Sequence, residues 1–327
     1  MNWTALARRV AIIPLPAPPP DGVRFAPPAN PSAWKEGTAM TTAYNPAAKF
    51  EIKEWDVDFR KATGGRMLKA RVYQPQGAGP FPVLLDMHGG AWHDKDRFAN
   101  VPMDQAAARS GMLVVAIDTT LSAEAPYPAS VQDLHYGIRW LKHRAREWKG
   151  DPSTLGVLGS SSGGHVAQLV GMRPRDPRYA ALPLPEAPGL DATVNYVATR
   201  SPISDCHARY EHMVKTSRPE MIKKTKMYFD PWESIFEGNP MLILERGEKV
   251  TLPPMLIMQG ELDTNVPWQI SEKMGQMYRA AGGECEVEIF KGCEHQWIND
   301  PGPQTTRAHE VLKAFIARQL KALRKAA

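Results

Sequence analysis

From residue 51 onward, short apolar runs alternate with longer stretches of helical periodicity, and few architectures accommodate that order. Segments 81–87, 112–117, 154–158, 192–199, 254–259 and 284–290 read as strands, most of them apolar enough to be covered on both faces. Between them, 102–110 (Ala-rich and closed by Gly111), 128–148, 162–171, 271–281 and 304 onward read as helices. Segments 51–60 and 66–73 alternate around Gly64-Gly65, a hairpin signal. The expected fold class is therefore α/β, a mostly parallel sheet with helices on both faces and the opening hairpin as an antiparallel edge.

Two stretches stand outside this rhythm. Residues 14–31 carry eight prolines, too many for a helix or an interior strand, so residues 1–50 are expected to form an irregular N-terminal arm. Residues 201–251 look irregular, with Tyr210, Met213, Met221, Tyr228, Phe229, Trp232 and Phe236 spread along them, and suggest a small cap-like insert in a body spanning 51–327. A chain of 327 residues could hold two domains at roughly 100–200 residues each, but α/β sheets often run longer as one unit.

The charge balance, 40 Lys and Arg against 35 Asp and Glu, is mild. Its densest basic stretch, 313–325, shares a helix with Val311, Leu312, Phe315, Ile316, Leu320 and Leu323, so those cations read as a wet helix face. No basic stripe with interleaved aromatics points to nucleic acid. No apolar run approaches the ~20 residues of a membrane span. The apolar run 10–13 is too short for a secretory segment, and three cysteines, Cys206, Cys285 and Cys293, form no disulfide framework. A cytoplasmic location is the resulting expectation, and the oligomeric state stays open.

Gly159-Ser160-Ser161-Ser162-Gly163 follows a buried strand and opens a helix. A serine exposed on a tight strand-to-helix turn needs small residues two before and two after it, and of the three serines only Ser161 has glycine at both offsets. The turn would aim the Ser162 amide at the reaction centre from a helix N-terminus, where negative charge is favoured. A phosphate loop would need lysine after the second glycine, where this chain has Gly164-His165. His88-Gly89-Gly90-Ala91-Trp92 directly follows the strand 81–87, and its paired glycines leave N–H groups free to approach an oxyanion. Gly89, Gly90 and Ser162 are the candidate oxyanion donors.

A serine hydroxyl needs a neighbouring base, and an imidazole base needs a carboxylate to fix its tautomer. Asp263, in the loop leaving strand 254–259, and His295, after strand 284–290, follow Ser161 in the order acid, then histidine. Both loops should emerge on the same rim as the serine turn. Glu261 and Asp300 are rival acids, and His309 a rival base within the last helix. Cys285, Cys293 and His295 fit no common zinc spacing, so no metal is expected. Asp205-Cys206-His207 reads as a polar loop and His88 as structural. Trp92 and Trp297, each beside a candidate catalytic element, and Trp232 in the insert are candidate walls of an apolar or aryl substrate site.

With these residues in place, the span 81–297 resembles the esterase and lipase branch of the α/β-hydrolases related to hormone-sensitive lipase, and the bacterial feruloyl-esterase-like and kynurenine-formamidase-like enzymes. The resemblance includes Leu121-Ser122-Ala123-Glu124-Ala125-Pro126-Tyr127-Pro128-Ala129, Asp133, Trp140-Leu141 and Asp151-Pro152. It departs at Ala91, where the lipase-like branch has a third glycine, and at Ser160 and Ser162, where Asp and Ala are common. It implies an α/β-hydrolase fold with an eight-stranded sheet, no metal or organic cofactor, and hydrolysis through an acyl-enzyme, with the Gly89, Gly90 and Ser162 amides as oxyanion hole. A small-molecule carboxylic ester is the expected substrate. An amide such as an N-formyl arylamine could be cleaved by the same groups, and a binding receptor on a hydrolase scaffold is the alternative from another class.

Overall fold

The computed structural model describes residues 44–326. Its centre is an eight-stranded sheet in the order β1-β2-β4-β3-β5-β6-β7-β8. Strands β1 (Ile52–Lys61) and β2 (Met67–Pro75) form the hairpin, and β2 also runs antiparallel to β4 (Leu113–Ile117). From β4 across β3 (Phe81–Met87), β5 (Gly150–Ser160), β6 (Val197–Arg200), β7 (Met255–Gly260) and β8 (Cys285–Phe290) every pairing is parallel. The α/β-hydrolase fold with its antiparallel edge is the architecture present.

The central strands are mostly apolar because both faces are covered. Successive side chains of β4 divide between two cores: Leu113, Val115 and Ile117 join one cluster, Val114 and Ala116 the other. The first core lies under α2 (Ala129–Arg144), α3 (Ser162–Met172) and α8 (Trp268–Ala280); the second lies under α1 (Val101–Arg109) and α9 (Pro303–Ala326). Every residue of α3 is buried, so this helix carries no polar face and starts directly from the serine turn. Parallel pairing delivers the carboxyl ends of β3, β5, β6, β7 and β8 to one rim, and the loops that carry chemistry leave there.

Four expectations are corrected. Residues 201–251 are largely helical, comprising α4 (Cys206–Lys215), α5 (Pro219–Tyr228), α6 (Ser234–Glu237) and α7 (Pro240–Glu245). Each is ten residues or fewer, too short for an amphipathic period to stand out; α4 and α7 are capped by the Asp205 and Asn239 side chains, and all four rely on tertiary contacts. Asp205-Cys206-His207 is the start of α4, not a loop: the Asp205 carboxylate accepts the Ala208 N–H at 3.0 Å. Strand β6 is shorter than the expected 192–199, and the expected helix 128–148 ends at Arg144 in a 3₁₀ turn, Ala145–Trp148. The expected arm, residues 1–50, lies outside the described residues except for 44–50. Among the described residues no helix is long and apolar enough to cross a membrane.

Candidate active site

Ser161 sits between β5 and α3 with φ 52° and ψ −116°, a left-handed backbone that a non-glycine residue adopts only under constraint. Its neighbours supply the constraint. The Ser161 N–H donates to the Arg200 carbonyl at 2.8 Å, and the Ser161 carbonyl accepts the N–H of His165 and Ile203. A Cβ on Gly159 would lie 2.5 Å from the Gly163 carbonyl oxygen, and one on Gly163 would lie 2.3 Å from those of Met87 and His88. The turn therefore closes only with glycine at both offsets.

Two loops on the same rim meet this serine. His295 Nε2 lies 3.0 Å from Ser161 Oγ, and His295 Nδ1 lies 2.7 Å from Asp263 Oδ2. A carboxylate only accepts, so Nδ1 carries a proton toward Asp263 and Nε2 offers its lone pair to the hydroxyl. Asp263 Oδ1 accepts the N–H of Val266 at 2.8 Å and of Asn265 at 2.9 Å, and Oδ2 also accepts from Gln259 Nε2 at 2.9 Å. Burial would raise this carboxyl, but the His295 hydrogen bond and charge, with the two backbone donors, hold it below its ordinary value. Burial also holds the His295 imidazole below 6.5; Arg200 and Arg209 act in the same direction and Asp263 opposes them. The rival groups are elsewhere. Glu261 accepts the Gly292 N–H at an exposed position, and His309 lies on α9 with its Nε2 buried and unpartnered among the described residues.

The Gly89 backbone abuts the serine, for a Cβ there would lie 3.0 Å from Ser161 Cβ and 2.9 Å from the Ser160 carbonyl oxygen. Among the described residues no hydrogen bond engages the N–H of Gly89 or Gly90, and Ser162, first in α3, has no intrahelical acceptor for its own. The loop is tied to the elbow by the Trp92 N–H, which donates to Ser162 Oγ at 3.1 Å. Gly90, Ala91 and Trp92 all have positive φ, a tight reversal completed by N–H donation from His93 and Asp94 to the Gly90 carbonyl. His88 donates from Nδ1 to the Gly89 carbonyl at 2.7 Å, the structural place expected for it.

The three tryptophans lie in different settings. Trp92 is buried, its indole parallel to Tyr228 of α5 at 4.5 Å. Its Nε1–H donates to His165 Nδ1 at 3.1 Å, and His165 Nε2 donates to the Gly238 carbonyl at 2.6 Å. That pairing requires the neutral ring, and burial pushes the His165 value down to about 4. Trp232 packs against Tyr210 beside a cavity of about 400 Å³ lined also by His207, Lys226, Phe229 and Asp230. Trp297 is committed to the core, stacked on Phe290 at 5.2 Å. The insert also reaches the loop after β3 through an ion pair between Lys224 and Asp94.

Residues that sequence reasoning missed include Gln259, His165, Arg200 and Arg209. Arg200 and Gln259, at the carboxyl ends of strands, could have been found from the rim rule; His165 and Arg209 carry no local signal. Cys206, Cys285 and Cys293 are free and buried, and among the described residues no group of three or more His, Cys, Asp or Glu is arranged to hold a metal ion.

Known proteins resemble this chain in sequence and in fold. The family model described as BD-FAE matches residues 71–278. A probable carboxylic ester hydrolase of Mycobacterium tuberculosis, LipM, is 25% identical over 199 residues, covering 58% of this chain and 43% of its own. The carboxylesterase NlhH of the same organism is 34% identical over 111 residues, covering 33% and 35%. The chain thus spans less than half the length of these curated relatives. Among solved structures, the thermostable carboxylesterase EstE1 from a metagenomic library superposes with a TM-score of 0.67 at 23% identity, over 84% of this chain and 91% of that one, a likeness of fold.

Proposed function

The chain belongs to the BD-FAE family, and from that premise we propose that it is a serine hydrolase cleaving small carboxylic esters through an acyl-enzyme. The observation that supports this reading most is the continuous series from Asp263 through His295 to Ser161, bonded at 2.7 and 3.0 Å. Ser161 Oγ attacks the acyl carbon while His295 Nε2 takes its proton, and Asp263 stabilises the imidazolium that forms. The negative oxygen is received by the N–H groups of Gly89, Gly90 and Ser162, which have no competing acceptor among the described residues. His295 then protonates the departing alcohol, and water, deprotonated by the same nitrogen, releases the acid. Trp92, Trp232 and Trp297 are proposed to shape the substrate site, Trp297 only from beneath.

The test is a series of p-nitrophenyl esters of increasing chain length, run beside aryl amides. Ser161→Ala is expected to lose about three or more orders of magnitude in turnover. A fluorophosphonate is expected to label Ser161 stoichiometrically in the wild type. Folded protein that neither turns over esters nor takes the label would make the chain a receptor, and amide turnover exceeding ester turnover would reassign the substrate.

A further inference from the structure

Resting on the serine-hydrolase reading above, we propose that Arg200 is a positioning residue that couples the serine turn to the histidine loop. It does so from both ends of one residue. Its backbone carbonyl accepts the Ser161 N–H at 2.8 Å. Its guanidinium donates from Nη1 to the His295 carbonyl at 2.7 Å. Ser161 and His295 come from loops 134 residues apart in the chain, and Arg200 is bonded to the backbone of both.

The side chain is built for one position. Arg200 is 3% exposed at the carboxyl end of β6, where its guanidinium lies 5.8 Å from the centre of the Trp297 ring. It forms no ion pair with a carboxylate among the described residues, and its Nε is buried without a partner there. A buried cation lacking an adjacent counter-ion costs stability, and the bond to the His295 carbonyl offsets part of that cost. The charges around it are Asp86 of β3, Asp263 beyond β7 and Lys95 of the loop after β3. Facing His295 are Asp263, Arg200 and Arg209 of α4. Burial pushes Arg200 down to about 10, leaving it charged at neutral pH. Its field favours the neutral imidazole, the form able to take the serine proton.

The experiment compares wild type, Arg200→Met and Arg200→Lys on one p-nitrophenyl ester, with kcat, KM and the pH dependence of kcat/KM. Arg200→Met is expected to lose about 10- to 100-fold in kcat with KM within about twofold, and its acid limb should move to higher pH because the opposing cation is gone. Arg200→Lys keeps the charge, so its limb should stay at the wild-type pH. Loss of folded protein alone would scale the whole profile and leave the limb in place. Should Arg200→Met not fold, Arg200→Gln carries the same test. A limb unmoved in the neutral variant, or a wild-type kcat there, overturns the assignment. Failure of the hydrolase reading is separate: it would show as ester turnover surviving in Ser161→Ala.

Discussion

At the scale of single residues, the site is governed by how burial and hydrogen bonds set two proton affinities. The Asp263 carboxyl is held low and the His295 imidazole is held below 6.5. A base must be neutral to act, so kcat/KM should rise along one acid limb lying below pH 6.5 and be flat through neutral pH. Asp263→Asn removes the charge that favours imidazolium; the limb should shift to still lower pH and the plateau fall by about four orders of magnitude. A pH–rate profile on each protein checks both, and a wild-type limb above 6.5 would overturn the argument that burial dominates at His295. Asp263 was separable from Glu261 in the sequence only by its offset from the strand. In three dimensions the distinction is plain, because the Asp263 side chain is wholly buried against His295 while Glu261 turns out to Gly292.

At the scale of elements, the serine turn was legible because its demands are local. Two glycines, a preceding apolar strand and a following helix are adjacent in the chain, and the backbone clashes that forbid other residues lie within the same turn or the neighbouring strand end. The insert was not legible for the converse reason. Its helices are short, and two of them, starting at Cys206 and Pro240, are capped by Asp205 and Asn239, residue types that sequence alone cannot distinguish from turn formers. Asp205 illustrates the point. Its Oδ1 accepts both the Ala208 N–H and Asn239 Nδ2, joining the start of α4 to the start of α7. Asp205→Ala should lower stability by about 1–2 kcal/mol, read as a lower urea midpoint at unchanged slope. An unchanged midpoint would mean the cap holds nothing.

At the scale of the molecule, the sheet concentrates buried charge beneath the rim. Asp86 on β3 is pushed up to about 7 by burial, against the opposing Asn100 hydrogen bond and Arg200 charge. Asp104 on α1 has both carboxylate oxygens buried without a partner among the described residues, and burial raises it well above the usual range, with the Asp86 charge adding to the effect. A raised carboxyl contributes stability that is fully present below its unfolded value and is lost as pH climbs toward the folded one. Asp104→Asn should therefore stabilise the fold on the alkaline side, by on the order of 2 kcal/mol. The gain in Tm at pH 8 should exceed that at pH 5, as thermal melts at the two pH values would show. Equal gains would place the cost in packing instead.

What the sequence determined by itself is whatever follows from neighbours along the chain: the alternation of strands and helices, the glycine-flanked serine and the paired glycines after β3. Side-chain period and backbone sterics act over a few residues, so those features survive without coordinates. Tertiary structure alone decided which carboxylate meets His295, that Trp297 joins the core, and that Arg200 spans two loops. Each of these is a distance between segments far apart in the chain, and such distances exist only once the sheet has brought its strand ends to a common rim.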